Sequence, residues 1–157
     1  MKQPTVYPSY LWWVIPEKLA GMPRPALENL PQLYQAGLRG IVSVIDEPSL
    51  IMEYQKAKFS ALSLPIVEEL PPTLPQVAEF IKFAETIMSN NQAVAVHCTG
   101  GNHRTGTLLA SYLVAKGENP EAVIQRILQI HPTAQLSQAQ TRWLYQLPEL
   151  LKSYQSS

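Results

Sequence analysis

The sequence predicts a single α/β domain with a central, mostly parallel sheet of four to five strands flanked by helices. Three observations predict it. The apolar runs Ile41–Ile45 and Ala93–Val96 are short and nearly continuous, as in strands buried on both faces. Other segments repeat their apolar residues at helical spacing, as in Val77, Phe80, Ile81, Ala84, Ile87 and Met88. The two kinds of signal alternate along the chain, which favours parallel strands joined by crossover helices. At 157 residues, without repeats, low-complexity tracts or long linkers, the chain reads as one domain, 1–157, with its core over about residues 11–150.

The elements follow in order. Leu11–Ile15 is an aromatic strand ended by Pro16, and Lys18–Gly21 pairs back against it. Adjacent Trp12 and Trp13 in a strand point to opposite faces, one toward the core and one outward. Asn29 is an N-cap with Pro31 just inside a helix that reaches Ala36, and Gly37 follows as its C-terminal glycine. After the Ile41–Ile45 strand come a short helix over Leu50–Lys56 and a strand near Phe59–Leu64. Ile66–Pro72 is a loop broken by Pro71 and Pro72, and Thr73 caps the next helix. Ala93–Val96 runs into a turn and then a helix carrying Leu108, Leu109, Tyr112 and Leu113. Asn119-Pro120-Glu121 opens another helix, ended by Pro132, and a last one starts near Ser137.

Twelve basic residues balance twelve acidic ones. Nothing global draws the chain to nucleic acid or an anionic membrane, so an anion site has to be built locally. A single cysteine excludes an internal disulfide and suits a reducing, cytoplasmic setting. Met1 to Tyr10 lacks the basic stretch and apolar run of a signal peptide, and no apolar stretch approaches the roughly 20 residues of a membrane span.

The informative feature is a strand, then His97-Cys98-Thr99-Gly100-Gly101-Asn102-His103-Arg104-Thr105-Gly106, then a helix. In such a turn the backbone amides point inward and the following helix presents its positive end to the same spot, which solvates an anion. Gly100, Gly101 and Gly106 supply backbone freedom for a tight concave turn. Arg104 adds a planar fork able to grip two phosphate oxygens. The same field stabilises the Cys98 thiolate, lowering its pKa below the ordinary value of about 8.5 and arming it to attack phosphorus. The Thr105 hydroxyl can donate to the sulfur as it leaves. Set against this, a lone buried cysteine is usually structural. The full ten-residue pattern between strand and helix outweighs that reading.

His97-Cys98-x5-Arg104-Thr105-Gly106 resembles the signature of the protein tyrosine phosphatase superfamily. Trp13-Val14-Ile15-Pro16, Leu19-Ala20-Gly21, Gly37 to Ser43, Pro71-Pro72 and the Gly106-Thr107 helix resemble small atypical dual-specificity phosphatases, VH1-like member Z among them. The likeness is collinear over about residues 11–146. It implies the cysteine-phosphatase fold, Cys98 as nucleophile, and a phosphate cradle formed by the backbone of Thr99, Gly100, Gly101, Asn102, His103 and Arg104. It also implies that Arg104 stabilises the transferring phosphoryl group and that His97 props the loop. Neither a cofactor nor a metal is implied, and three histidines with one cysteine show no metal-ligand spacing.

The family protonates the leaving oxygen with a loop aspartate, and here the chain departs from it. Its only aspartate is Asp46. Counting back from Pro71-Pro72 puts Glu68 in the acid's place, with Glu69 one residue away and Asp46 at the end of the Ile41–Ile45 strand as competitors. Glutamate has adequate acid chemistry, with a reference pKa of about 4.3. Gln140 stands where the family has a glutamine that orients water, although a surface helix glutamine is the simpler reading. Asn102 holds the loop, His103 lines the rim, and His131 is a helix-end contact.

The variable residues of the turn, Thr99 to His103, include no lysine or arginine, which disfavours a highly phosphorylated head group. The expected function is therefore a protein phosphatase acting on phosphotyrosine, and on phosphoserine or phosphothreonine as well if the pocket is shallow, with a phosphorylated protein or peptide as partner. Two alternatives stand beside it: an inositol or lipid phosphate phosphatase, and an inactive phosphate-binding module.

Overall fold

In the computed structural model, residues 6–100 and 102–156 are described, so Gly101, expected in the phosphate turn, lies outside them. Five strands form one sheet: β1 Trp12–Ile15, β2 Leu19–Met22, β3 Leu38–Ser43, β4 Ser60–Ser63 and β5 Ala93–His97. Their order is β1-β2-β5-β3-β4. β1 and β2 form an antiparallel hairpin, and every other pairing is parallel. The helices are α1 Leu30–Gln35, α2 Ser49–Lys56, α3 Leu74–Met88, α4 His103–Ala115, α5 Pro120–Ile130 and α6 Gln138–Ser156. This is the mostly parallel α/β architecture that the alternating signals predict.

The two-residue period of the strands sorts side chains into two cores. Leu19, Val42, Val94 and Val96 face Phe80, Leu108, Ile127 and Leu144 of α3 to α6. Ala20, Ile41, Ala93 and Ala95 face Leu33 and Tyr54 of α1 and α2. β5 is central and buried along its whole length, which explains its uninterrupted apolar sequence. β3 and β5 are neighbours, yet α2 leaves β3 on one face and α4 leaves β5 on the other. Such a reversal opens a crevice at the carboxyl ends of the strands, where ligands bind in open α/β sheets.

Several boundaries differ from expectation. β3 starts at Leu38, paired with Ala93, and so takes in Gly40, a weak strand residue by propensity that is needed there because a Cβ on it would lie 2.5 Å from Ile87 Cδ1 of α3. Past Ser43 the ladder continues through Val44, whose N–H donates to the His97 carbonyl at 3.0 Å and whose carbonyl accepts from Ile66 N–H at 3.0 Å. Asn29 does not cap α1. A 3₁₀ turn over Leu27–Asn29 runs directly into the helix, so Asn29 already has helical backbone angles and its side chain caps nothing. Gly37 does end α1 with φ +111°, a conformation that side chains resist. Thr73 and Asn119 cap α3 and α5 as expected, and Thr73 with Gln76 forms a complete capping box. Among the described residues no helix is long and apolar enough to cross a membrane.

The tryptophan pair alternates between faces, but the ring expected outward, Trp13, is half-buried against the α1–α2 core. Trp13 packs edge-on against Tyr7 with ring centroids 4.7 Å apart, and Trp12 is buried in the α3–α6 core. Trp12 lies flat across Gly21, its strand partner, so close that an added Cβ would sit 2.3 Å from the indole ring. Gly21→Ala therefore has to push the indole off the sheet. The expected outcome is a loss of about 1–3 kcal/mol, roughly 3–10 °C in Tm by thermal melting.

Candidate active site

At the crevice beyond β5 a pocket of about 410 Å³ is lined by Glu68, Cys98, Thr99, Gly100, Asn102, His103 and Arg104. A larger groove of about 610 Å³ lies between α3, α4 and α6, but neither thiol nor arginine lines it. Cys98, the residue after β5, is 4% exposed, and α4 begins five residues later at His103. The thiol thus sits at the positive end of a helix whose first amides have no intrahelical partners. Arg104 lies in the first turn of that helix.

His97 explains how the start of the turn is held. Its ring is fully buried, with Nδ1 3.0 Å from the Cys98 carbonyl and Nε2 2.8 Å from the Tyr54 hydroxyl. A carbonyl only accepts, so Nδ1 carries the proton and Nε2 accepts from Tyr54. Burial, the largest effect, pushes the His97 pKa down to about 4 and that of Tyr54 up to about 12. Both groups are neutral over the working range, and their hydrogen bonds fix the strand end that carries Cys98. The Thr105 hydroxyl is buried without a hydrogen-bond partner among the described residues.

The carboxylate candidates separate by position. Val67–Leu70 is a tight turn closed by a 3.0 Å bond from Leu70 N–H to the Val67 carbonyl, with Glu69 at φ +68°. All three candidates are exposed, but Glu68 lines the Cys98 pocket and Glu69 and Asp46 do not. The loop bearing Glu68 is held through its carbonyls. Arg104 Nη1 donates to Ile66 O at 3.1 Å, Gln76 Nε2 to Pro65 O at 2.8 Å and Ser137 Oγ to Glu69 O at 2.7 Å. Gln140 Nε2 reaches Leu70 O at 3.3 Å. Arg104 therefore joins the two loops that form the pocket.

The family model described as Swiss Army Knife protein, DSP-PTPase phosphatase domain, matches residues 8–151. The chain belongs to this family. Among curated proteins it is 26% identical over 129 residues to the tyrosine-protein phosphatase CDC14 of Candida albicans, covering 82% of this chain and 24% of that protein. It is 30% identical over 101 residues to the mouse phosphatidylglycerophosphatase and protein-tyrosine phosphatase 1, covering 59% of this chain and 52% of that protein. The chain thus spans about a quarter and about half of these two relatives. The active form of Tk-PTP superposes with a TM-score of 0.81 at 23% identity, over 90% of this chain and 97% of that one, a likeness of fold.

Within this phosphatase-family domain the pocket brings together Glu68, Cys98, Thr99, Gly100, Asn102, His103 and Arg104, while His97 and Thr105 are buried and do not line it; three further readings are corrected. Gln140 is not a surface residue: it is fully buried, and its amide is engaged by Leu70 O and by the N–H of Ser137 at 2.9 Å. The pattern Ser137-x-x-Gln140 is a capping-box signature that sequence reading passed over. His131 is more than a helix-end contact: its ring stacks on Trp12 and bonds Asn102. Gly100 and Gly106 do not act through positive backbone angles. Gly106 lies inside α4, and Gly37 and Gly117 are the glycines with positive φ among the described residues. What Gly100 provides is room, since a Cβ there would lie 3.2 Å from Asn102 Nδ2. His103 lines the pocket as expected, and its Nδ1 donates to the Gln135 carbonyl.

The buried neutral His97 makes stability depend on pH. An unfolded histidine takes up its proton below about 6.5, whereas the folded ring resists until about 4. Between those values the unfolded state binds more protons, so stability falls as pH drops from about 6.5 to about 4 and then levels off. The His97 share is at most about 3 kcal/mol. Urea melts across that range should show the slope, and His97→Gln should flatten it. Tyr54→Phe, which strips the donor from buried Nε2, should cost about 1–3 kcal/mol near neutral pH.

Proposed function

We propose that this chain is a protein phosphatase that hydrolyses phosphotyrosine, and phosphoserine or phosphothreonine that reach the same pocket, through a cysteinyl-phosphate intermediate. The observation that carries the reading is the meeting of Cys98, Arg104 and Glu68 around one pocket at the start of α4. The amides of Thr99 to Arg104 and the Arg104 guanidinium would hold the three equatorial phosphate oxygens and keep Cys98 as thiolate. In the first step the sulfur attacks phosphorus, the S–P bond forms and the ester P–O bond breaks. The Glu68 carboxyl gives its proton to the leaving oxygen. In the second step a water attacks phosphorus, Glu68 takes the water proton, and the S–P bond breaks to release phosphate. The unpartnered Thr105 hydroxyl is placed by sequence to stabilise the departing sulfur. His97 acts as support for the turn.

Two observations support a protein substrate. The loop bears Val67, 68% exposed, and Leu70, 47% exposed, around Glu68, which offers apolar contact to an aryl ring or peptide. The turn itself holds no lysine or arginine between Cys98 and Arg104. A lipid phosphate is the second reading, favoured by the name of the mouse relative. We take the working compartment to be cytoplasmic, where a single reactive thiol stays reduced.

The test is phosphate release from an aryl phosphate, from phosphotyrosine and phosphothreonine peptides, and from phosphatidylglycerophosphate. Peptide turnover should exceed lipid turnover, and the reverse order would transfer the assignment to lipids. Cys98→Ser should abolish turnover. Glu68→Gln should lower kcat by about 10²-fold, with Glu69→Gln and Asp46→Asn staying within about 2-fold of the parent. A large loss in Asp46→Asn with Glu68→Gln unaffected would reassign the acid.

A further inference from the structure

Asn102 stands at the N-cap of α4, a position where asparagine normally turns its side-chain oxygen onto the N–H of the second or third helical residue. Here those residues are Arg104 and Thr105, whose amides belong to the anion site of the proposed function. Asn102 does not cap: its side chain accepts no bond from the first turn, and its backbone (φ −111°, ψ −93°) lies outside the extended region typical of a capping residue. Its oxygen is taken elsewhere. His131 Nε2 lies 2.8 Å and Thr133 Oγ1 3.2 Å from Asn102 Oδ1, and the two donors are themselves 3.0 Å apart. The amide nitrogen then faces Gly100, whose missing side chain makes room for it.

His131 is itself fixed. Its ring stacks on Trp12 with centroids 4.6 Å apart and planes 7° from parallel, and Trp12 in turn rests on Gly21. Its backbone N–H closes α5 onto the Ile127 carbonyl at 2.8 Å. The imidazole is thus held between the sheet and the turn, with one nitrogen aimed at Asn102.

We propose that His131, with Thr133, is a positioning residue that holds the Asn102 side chain away from its own helix, so that the first amides of α4 stay open to the substrate phosphate. The residue that would satisfy those amides in an ordinary helix competes with phosphate for the same donors, and the α5–α6 turn removes the competitor. This rests on the assignment of the turn as the phosphate site. Freed from His131, Asn102 relaxes toward capping geometry and closes the site from within.

The experiment compares His131→Phe, which keeps the stack on Trp12 and loses the donor, with His131→Gln, which keeps an N–H donor. The readouts are KM for an aryl phosphate, the inhibition constant of orthovanadate, and Tm. His131→Phe should weaken vanadate and raise KM by roughly 3–10-fold, the range of one hydrogen bond, with Tm unchanged or higher because the helix gains a cap. His131→Gln should stay within about 2-fold of the parent. Thr133→Val should move in the same direction as His131→Phe by a smaller factor. The deciding measurement is Asn102→Ala combined with His131→Phe. With the competing side chain gone, the double variant should bind vanadate more tightly than His131→Phe alone, and adding His131→Phe to Asn102→Ala should change nothing. An unaffected His131→Phe, or the same fold loss with and without Asn102, would overturn the proposal. A parent protein that neither turns over aryl phosphate nor binds vanadate would instead remove the function beneath it, and the proposal with it.

Discussion

Helix α4 starts where the central strand of the sheet stops, and its leading N–H groups have no partners within the helix. That demand organises the site. The sheet order places β5 between β2 and β3, so its end is enclosed on both sides, and the turn that follows runs from the buried Cys98 out to an open mouth at Thr99, Gly100 and His103. Amides without a helical partner need an acceptor, and a doubly charged oxyanion is the strongest acceptor available. The chain carries no net charge, yet the local field at Cys98 is positive because dipoles and one guanidinium converge there.

The surrounding groups divide into those that complete this field and those that keep its geometry. Arg104 does both, since one guanidinium nitrogen is committed to the Ile66 carbonyl. Its position therefore depends on the loop that carries Glu68, and the loop's position depends on it. His97 and Tyr54 work beneath the turn as an uncharged pair, which is the inexpensive way to place polar atoms in a core: every donor finds an acceptor and no ion is buried.

What could be read from the sequence was what lay close together in it. Cys98 and Arg104 share one turn, so their register needs no tertiary information, whereas Glu68, 30 residues before Cys98, was placed only by family resemblance through its offset from Pro71-Pro72. The strand and helix alternation follows from hydrophobic period alone. Groups that meet across the fold left no such trace. Tyr54 finds His97 across 43 residues and His131 finds Asn102 across 29, and a lone tyrosine or histidine carries no mark of its partner. Gln140 looked superficial because glutamine usually is; only the path of the loop over α6 buries it. Asn29 misled for the opposite reason: a good capping residue was bypassed when the preceding 3₁₀ turn had already supplied helical backbone. The glycines were legible as necessary but not as to why, since van der Waals space is decided by neighbours.

Gln76 and Gln140 each complete a capping box at the start of a helix, and each also holds a carbonyl at one end of the loop that carries Glu68. Helix nucleation and loop placement are therefore paid by the same two side chains. A segment anchored in this way behaves less like a flap on a hinge than like a strut wedged between two posts. Replacing either glutamine would loosen a helix start and a loop end together, so the reach of Glu68 is coupled to helix stability.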